Sequence, residues 1–327
     1  MRRRRIAGAV LAAVLAVLGP LVAVQAPASA AQVVRVDELS PTRSAVFVDS
    51  PAMGRVIQVQ VLHPAGGGAR PSYYLLDGLD PGVGQSTWTN ATDAEAFFRG
   101  KNVNVVLPVG GQASYYTDWV ADDPVLGRNK WSTFLTAELP PLLEQRFGMT
   151  GRNAVAGLSM SATSALNLAL DAPGRYQAVG AYSGCARTSD PAGRALIYAE
   201  LAVFGANATN MWGGPDSPLW AAHDPVLRAE ELRGLAIYVS AGDGRPGRHE
   251  TLTAPGIDGN PIDLLDRMVV GGLMETVIGG CTRPLVDRLT SLAIPATLAL
   301  RPGTHSWPYW QDDLHDSWPM FAAAIGA

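Results

Sequence analysis

The chain has 327 residues, 47% of them hydrophobic and 17% charged, with 35 glycines and 24 prolines. That balance belongs to a folded protein with a sizeable core and excludes a disordered or collagen-like chain. The formal net charge of −4 lacks the basic footprint of a nucleic-acid binder, so no nucleic-acid partner is expected.

Arg2 to Arg5 open the chain, Ile6 to Val24 are apolar apart from Gly and Pro, and Ala28-Ser29-Ala30 follow. A basic start, an apolar run and small residues before a cut describe a secretory signal over residues 1–30, cleaved near Ala30 or Ala31. An uncleaved membrane anchor is the alternative. Gly19-Pro20 interrupts the run, and the cleavage pattern stands where it is needed. Four consecutive arginines also suit twin-arginine export. Removing them leaves 21 basic against 29 acidic side chains, a net of about −8 for the mature chain. The expected location is secreted or in the cell envelope.

The mature chain, 31–327, reads as one α/β domain. Val46 to Val48 and Val56 to Leu62 are rich in β-branched residues and read as early antiparallel strands. Tyr73 to Leu76 is a buried strand running into Asp77-Gly78, Ala91 to Arg99 is helical, and Val103 to Leu107 is a second buried strand. Trp131 to Phe147 has helical spacing, with Pro140-Pro141 expected to kink or split it. Asn153 to Ala156, Tyr176 to Tyr182, Leu235 to Val239 and Thr297 to Leu300 are further strands, and Ser159 to Leu170, Ile262 to Ile278 and Trp310 to Ile325 are helices. Short apolar strands alternating with helices imply βαβ units and a mostly parallel sheet covered on both faces.

Gly157-Leu158-Ser159-Met160-Ser161 falls where a strand hands over to a helix. A sharp strand-to-helix turn holds a serine hydroxyl out of the sheet, and the amide of the next residue, Met160, then faces a developing oxyanion. Ser161 stands where the strict pattern has Gly. A serine needs a base, normally histidine. Of the five histidines, His305 follows the last strand in a loop, which fits the chain order serine, acid, histidine. His63 precedes the turn, His223 and His249 lie in polar segments expected to be solvated, and His315 falls on the exposed face of the final helix. Two acids suit the spacing equally: Asp243, directly after a strand, and Glu275, a lone carboxylate within an apolar helical stretch. The two cysteines, Cys185 and Cys281, show no metal-ligand spacing and in an exported chain read as one disulfide. No metal or cofactor is called for.

Longer segments carry a family resemblance. They are Tyr74-Leu75-Leu76-Asp77-Gly78-Leu79, Leu107-Pro108-Val109-Gly110-Gly111-Gln112 with Tyr116-Thr117-Asp118-Trp119, Trp131 to Pro140, the serine turn, and Ala222-His223-Asp224-Pro225. The most specific is Gly303-Thr304-His305-Ser306-Trp307-Pro308-Tyr309-Trp310, because no packing rule demands that order. With these the sequence resembles the antigen-85-type mycolyltransferases and the wider esterase family around them.

The resemblance implies an α/β-hydrolase fold without a large lid domain, with Ser159 as nucleophile and His305 as base. It favours Glu275 over Asp243 as the acid, places oxyanion donors at the amides of Leu79 and Met160, and puts Asp77 and Trp307 beside the sugar. It implies an acyl-sugar ester substrate such as a trehalose mycolate. Two departures stand out. Asp80 replaces the arginine of trehalose-using members, which favours a carboxylesterase, and Ser240-Ala241 stands where antigen-85-type chains carry a cysteine. The Cys185–Cys281 pair instead looks like that of related secreted members, where it would pin the acid-bearing helix.

Overall fold

The computed structural model describes residues 30–66 and 68–327. The expected secretory signal therefore lies outside the described residues, apart from Ala30. Nine strands form one sheet: β1 (Gln32–Ser40), β2 (Arg43–Ser50), β3 (Arg55–Leu62), β4 (Arg70–Leu76), β5 (Asn104–Pro108), β6 (Met149–Leu158), β7 (Tyr176–Tyr182), β8 (Ala236–Gly242) and β9 (Thr297–Arg301). Their order is β1-β2-β3-β5-β4-β6-β7-β8-β9. The first three pairings are antiparallel and the remaining five are parallel. The mostly parallel sheet with leading antiparallel strands is thus what the chain builds.

Alternation along each central strand divides the core between two faces. Tyr73 and Leu75 of β4, Ala154 and Ala156 of β6, and Ala178 and Tyr182 of β7 meet the Trp307–Ile325 helix through Leu314, Phe321 and Ile325. Their neighbours Tyr74, Leu76, Val155 and Val179 point the other way, onto Ala162, Ala165 and Leu166 of the Met160–Asp171 helix. A side-chain period of two on strands buried on both sides requires this near-continuous apolar run.

The last helix is also tied to the sheet by charge. The carboxylate of Asp313, fully buried, accepts from both Arg301 Nη atoms at 2.7 and 2.8 Å, from Ser240 Oγ at 2.7 Å and from Tyr238 OH at 3.0 Å. Every oxygen of a buried carboxylate must be satisfied in this way. The result fixes the turn between β9 and the helix, and that turn carries His305.

Several elements differ from the sequence reading, among them the helix expected over Ala91–Arg99, which is two short ones, Thr87–Ala91 and Ala94–Phe98. β1 is exposed or half-buried throughout and pairs only with β2, so no apolar alternation announces it. The Trp131–Phe147 segment is split next to its prolines, as expected: a short turn at Trp131–Thr133 and a π-helical turn over Phe134–Glu138 lead into a new helix from Leu139 with Pro140 and Pro141 in its first turn. The segment predicted as helical over 262–278 extends over Pro261–Ser291, with a π-helical stretch at Arg267–Gly271 and with Cys281 and Pro284 inside its long final piece.

Candidate active site

β6 ends at Leu158 and the helix begins at Met160, leaving Ser159 alone between them at φ 52°, ψ −124°. A residue with a Cβ adopts that conformation only when its surroundings impose it. Ser159 N–H donates to Tyr182 O at 2.8 Å, and Ser159 O accepts from Ala162 N–H at 3.1 Å. Ser161, the departure from the strict pattern, is fully buried; its hydroxyl accepts from Leu158 N–H at 3.0 Å and lies 3.1 Å from Leu76 O, to which it can donate. The hydroxyl therefore stitches the turn to the neighbouring strand. A Cβ on Gly157 would stand 2.2 Å from Ser161 O, and one on Gly184 would stand 2.4 Å from Ser159 O. Gly157→Ala should therefore destabilise the fold by about 3 kcal/mol. A melting temperature equal to the unsubstituted protein's would contradict this packing.

His305 Nε2 lies 2.8 Å from Ser159 Oγ, and His305 Nδ1 lies 2.7 Å from Glu275 Oε2. Glu275, fully buried in the first turn of the Gly272–Ser291 helix, also accepts from Gly242 N–H. Burial alone would raise its carboxyl, but the hydrogen bond and charge of His305, with Gly242 and Ser183, outweigh that and hold it below the ordinary glutamate value. Asp243, the other sequence candidate, points into solvent and pairs with Arg245. Spacing could not separate the two acids; only the fold brings Glu275 under the imidazole.

The surroundings hold this chain in place. Cys185 and Cys281 form a disulfide, with Cα atoms 4.8 Å apart, and Thr282 Oγ1 donates to Gly184 O at 2.8 Å. Both links join the loop after β7 to the helix bearing Glu275. His305 N–H donates to Gly271 O at 3.0 Å, and its ring meets Trp310 edge-on with centroids 4.8 Å apart. Glu250, which the sequence reading passed over, accepts from Thr304 Oγ1 at 2.7 Å and Tyr309 OH at 2.6 Å on either side of His305. No motif marks a carboxylate whose partners come from a distant loop. The other histidines lie elsewhere. His63 bonds Ser44, His315 bonds Asp93, and the two expected to be solvated are engaged: His249 with Asp312, and His223 stacked on Trp212.

The loop after β4 completes the site. Gly78, Leu79 and Asp80 line a cleft of about 570 Å³ together with Ser159, His305 and Trp307. Leu196 and Val203 from the Pro191–Val203 helix and Leu273, Val277 and Ile278 from the Gly272–Ser291 helix give it apolar walls. A second cleft of about 900 Å³ meets the first at Met274, His305, Trp307 and Trp310, and is lined by Asn90, Asp263, Asp266 and Arg267. Met160 opens its helix, so its amide has no intrahelical acceptor. Asp80 sits exposed at the rim, accepting from Gln112 Nε2 at 2.9 Å.

Asp77 occupies a different place from the one the resemblance implied. It lines neither cleft; fully buried under the loop, it accepts from Ser86 Oγ and Thr87 N–H, both at 3.1 Å. Burial pushes its carboxyl up to about 7, against the hydrogen bonds of Thr87, Ser86 and Trp88. The folded state then holds a proton that the unfolded chain releases near its ordinary value of 3.8. This group's contribution is fully present below that value and is lost as pH rises towards 7, a change of about 4 kcal/mol. The melting temperature of Asp77→Asn should accordingly gain on the unsubstituted protein as pH rises from about 4 to about 7.5. A constant gap over that window would count against the buried, proton-holding Asp77.

Comparison with known proteins places the chain in a family. The family model described as "Putative esterase" matches residues 50–321. The chain belongs to this esterase family. It is 35% identical over 295 residues to the diacylglycerol acyltransferase/mycolyltransferase Ag85A of Mycobacterium tuberculosis, covering 86% of this chain and 80% of that protein. To Ag85B of Mycobacterium leprae it is 34% identical over 280 residues, covering 82% and 80%. The crystal structure of Mycobacterium tuberculosis MPT51 superposes with a TM-score of 0.70 at 29% identity, over 89% of this chain and 99% of that one. The fold is the α/β-hydrolase fold of this esterase family, and the chain is of the acyltransferase and esterase class. Within the family frame, the Ala222-to-Pro225 motif is structural: Asp224 accepts from the amides of Thr188 at 3.0 Å, Ser189 at 2.8 Å and Val226 at 2.9 Å, clamping the entry to the Pro191–Val203 helix. Among the described residues no helix is long and apolar enough to cross a membrane, and no group of three or more His, Cys, Asp or Glu could hold a metal ion.

Proposed function

We propose that the chain is a secreted serine acyltransferase, released by cleavage near Ala30, that moves a fatty or mycolic acyl group between sugar esters through an acyl-enzyme on Ser159. One observation carries this reading: the hydrogen-bonded series Ser159–His305–Glu275 opens onto an apolar cleft that meets a second, more polar one.

His305 Nε2 takes the Ser159 proton as Oγ attacks the ester carbonyl, and Glu275 holds the imidazole in the tautomer that leaves Nε2 free to accept. The tetrahedral oxyanion receives the amides of Leu79 and Met160, each such donor being worth about 3 kcal/mol of barrier. The imidazolium then returns its proton to the departing sugar oxygen as the C–O bond breaks, leaving the acyl group on Ser159. An acceptor hydroxyl enters from the second cleft beside Trp307 and gives its proton to His305 as it attacks the acyl carbon. Collapse of that intermediate frees the ester, and Ser159 recovers the proton. The acyl chain lies between the Leu196–Val203 and Leu273–Ile278 walls, where burying it gains about 0.8 kcal/mol per methylene. Asp77 acts beneath this site by holding the loop that presents Leu79.

Asp80 favours a second reading, a carboxylesterase with water as acceptor, because an anion stands at the rim where trehalose-using relatives are expected to carry a cation. The two share every catalytic group. They separate when the purified mature chain is given a trehalose mycolate donor with and without added trehalose, and its products are resolved. Acyl transfer to trehalose is the expected result. Free acid formed at a rate indifferent to trehalose would replace the transferase with the esterase.

A further inference from the structure

The proposed reaction uses His305 and Trp307 of the string Gly303 to Trp310 but gives no part to Thr304 or Tyr309. Both of these side chains are buried, and both hydroxyls go to one carboxylate. Thr304 Oγ1 donates to Glu250 Oε1 at 2.7 Å, and Tyr309 OH donates to Glu250 Oε2 at 2.6 Å. Gly247 N–H donates to the same Oε2 at 2.5 Å. Burial and the Glu250 carboxylate hold the Tyr309 hydroxyl well above its ordinary value, so it stays protonated and donates.

The carboxylate bridges the two flanks of the base. Thr304 immediately precedes His305, and Tyr309 lies in the first turn of the helix that follows it. The segment carrying Glu250 is pressed against this turn: a Cβ on Gly247 would stand 2.4 Å from Tyr309 OH and 2.5 Å from Pro302 O. Arg267 holds that segment in its turn, donating to His249 O at 3.3 Å and to Pro255 O at 2.7 Å. His305 itself is anchored at its amide by Gly271 O and at its ring by Glu275. Gly244 N–H, donating to Gly303 O at 3.0 Å, and Glu250 fix the loop around it. Of these contacts, Glu250 is the one that reaches both sides. It lines neither cleft.

Resting on the acyl-enzyme reading above, we infer that Glu250 is a positioning residue for the base: by holding Thr304 and Tyr309 it sets the place of the His305 ring, and so the approach of Nε2 to Ser159 Oγ, without touching the substrate. A carboxylate suits this task because its two oxygens accept from two hydroxyls and an amide at once. The effect is large because a displacement of about 1 Å in a reacting group costs about 100-fold in rate. Glu275 orients the imidazole from beneath, and Glu250 holds the backbone that carries it.

The test is kinetic, with a melting curve beside each variant. Glu250→Ala should lower kcat for p-nitrophenyl octanoate by about 100-fold and leave KM within about twofold. It should slow by a similar factor the phosphonylation of Ser159 by a fluorophosphonate, which needs the base but not the acyl cleft. Glu250→Gln should recover much of the loss: its oxygen can accept from Tyr309 and Gly247 while its NH2 donates to Thr304 Oγ1, whose own proton turns to Ser306 Oγ at 3.4 Å. Thr304→Val and Tyr309→Phe should each cost part of the same kcat, and Thr304→Ser should restore it. Adding Glu250→Ala to the variant lacking both hydroxyls should cost little more, because the carboxylate acts through them. Unchanged kcat and phosphonylation in folded Glu250→Ala overturn the inference, as does a loss confined to KM or one that multiplies with those of the two hydroxyls. If Glu250→Ala does not fold, unchanged kcat in folded Thr304→Val and Tyr309→Phe overturns it instead. Reaction of the intact protein with an unaffected Glu250→Ala removes Glu250 alone. If the intact protein reacts with neither ester nor fluorophosphonate, the acyl-enzyme reading falls and this inference with it.

Discussion

Ser159→Ala should lower kcat/KM for ester turnover by roughly 100,000-fold or more while leaving the melting temperature nearly unchanged. The size follows from the arrangement. Oγ is 2.8 Å from His305 Nε2, and among the described residues lining that cleft Ser159 is the only one with a hydroxyl. Without it no covalent step takes place, and only the electrostatics of the Leu79 and Met160 amides remain for a direct attack by water. Stability should hold because the contacts that shape the turn are made by other atoms. Ser159 N–H and C=O, the Ser161 hydroxyl and Gly157 keep their roles whether or not Oγ is present. Relief of the side chain at positive φ is also absent, since alanine keeps the Cβ. A variant with a tenth of the original activity would remove Ser159 from the mechanism. Stopped assays on the purified variant, with its melting curve beside them, read both quantities.

Glu275→Gln is expected to cost about 10,000-fold in kcat, a larger loss than the removal of one hydrogen bond. The carboxylate accepts from Gly242 N–H at Oε1 and from His305 Nδ1–H at Oε2. A glutamine has one acceptor oxygen. If that oxygen stays with Gly242, the amide NH2 faces Nδ1 and forces the imidazole to accept there, which puts its proton on Nε2 and points it at Ser159. If the amide turns over, its NH2 meets the Gly242 N–H. Either way the base is lost or the helix is disturbed. Asp243→Asn is the matched control: its carboxylate pairs with Arg245 in solvent, so activity should stay within the scatter of the assay. Similar losses for both variants would mean that the acid had been wrongly placed, and the kcat of the two, measured side by side above saturation, decides it.

Much of the fold is legible in the sequence. The buried strands announce themselves by continuous apolar runs ending in Gly or Asp, and Gly157 to Ser161 combines a strand end, a tight turn and a helix start in one place. The histidine that meets Ser159 was legible because the loop after the final strand contains one histidine. The carboxylate that meets this histidine was not legible from spacing, since burial under an imidazole is a property of packing, and Asp243 and Glu275 differ in where the chain turns. Elements between Tyr182 and Leu235 were also missed. There the Pro191–Val203 helix is capped by Asp190, whose side chain accepts from Gly193 N–H at 2.8 Å, and its apolar face serves a cleft, so one of the two apolar walls of the site went unread. Asp77 shows the opposite limit: a resemblance located the right residue but not its direction, because its neighbours Ser86 and Thr87 draw the carboxyl under the loop.

The acyl-enzyme itself is the most direct object to measure. The intact protein, mixed with p-nitrophenyl octanoate and quenched in acid within the first turnover, should gain the mass of one octanoyl group. Digestion should place that group on the peptide containing Ser159, and Ser159→Ala should gain none. Turnover of the ester with no adduct at Ser159, or the same adduct formed by Ser159→Ala, would contradict nucleophilic catalysis by this serine.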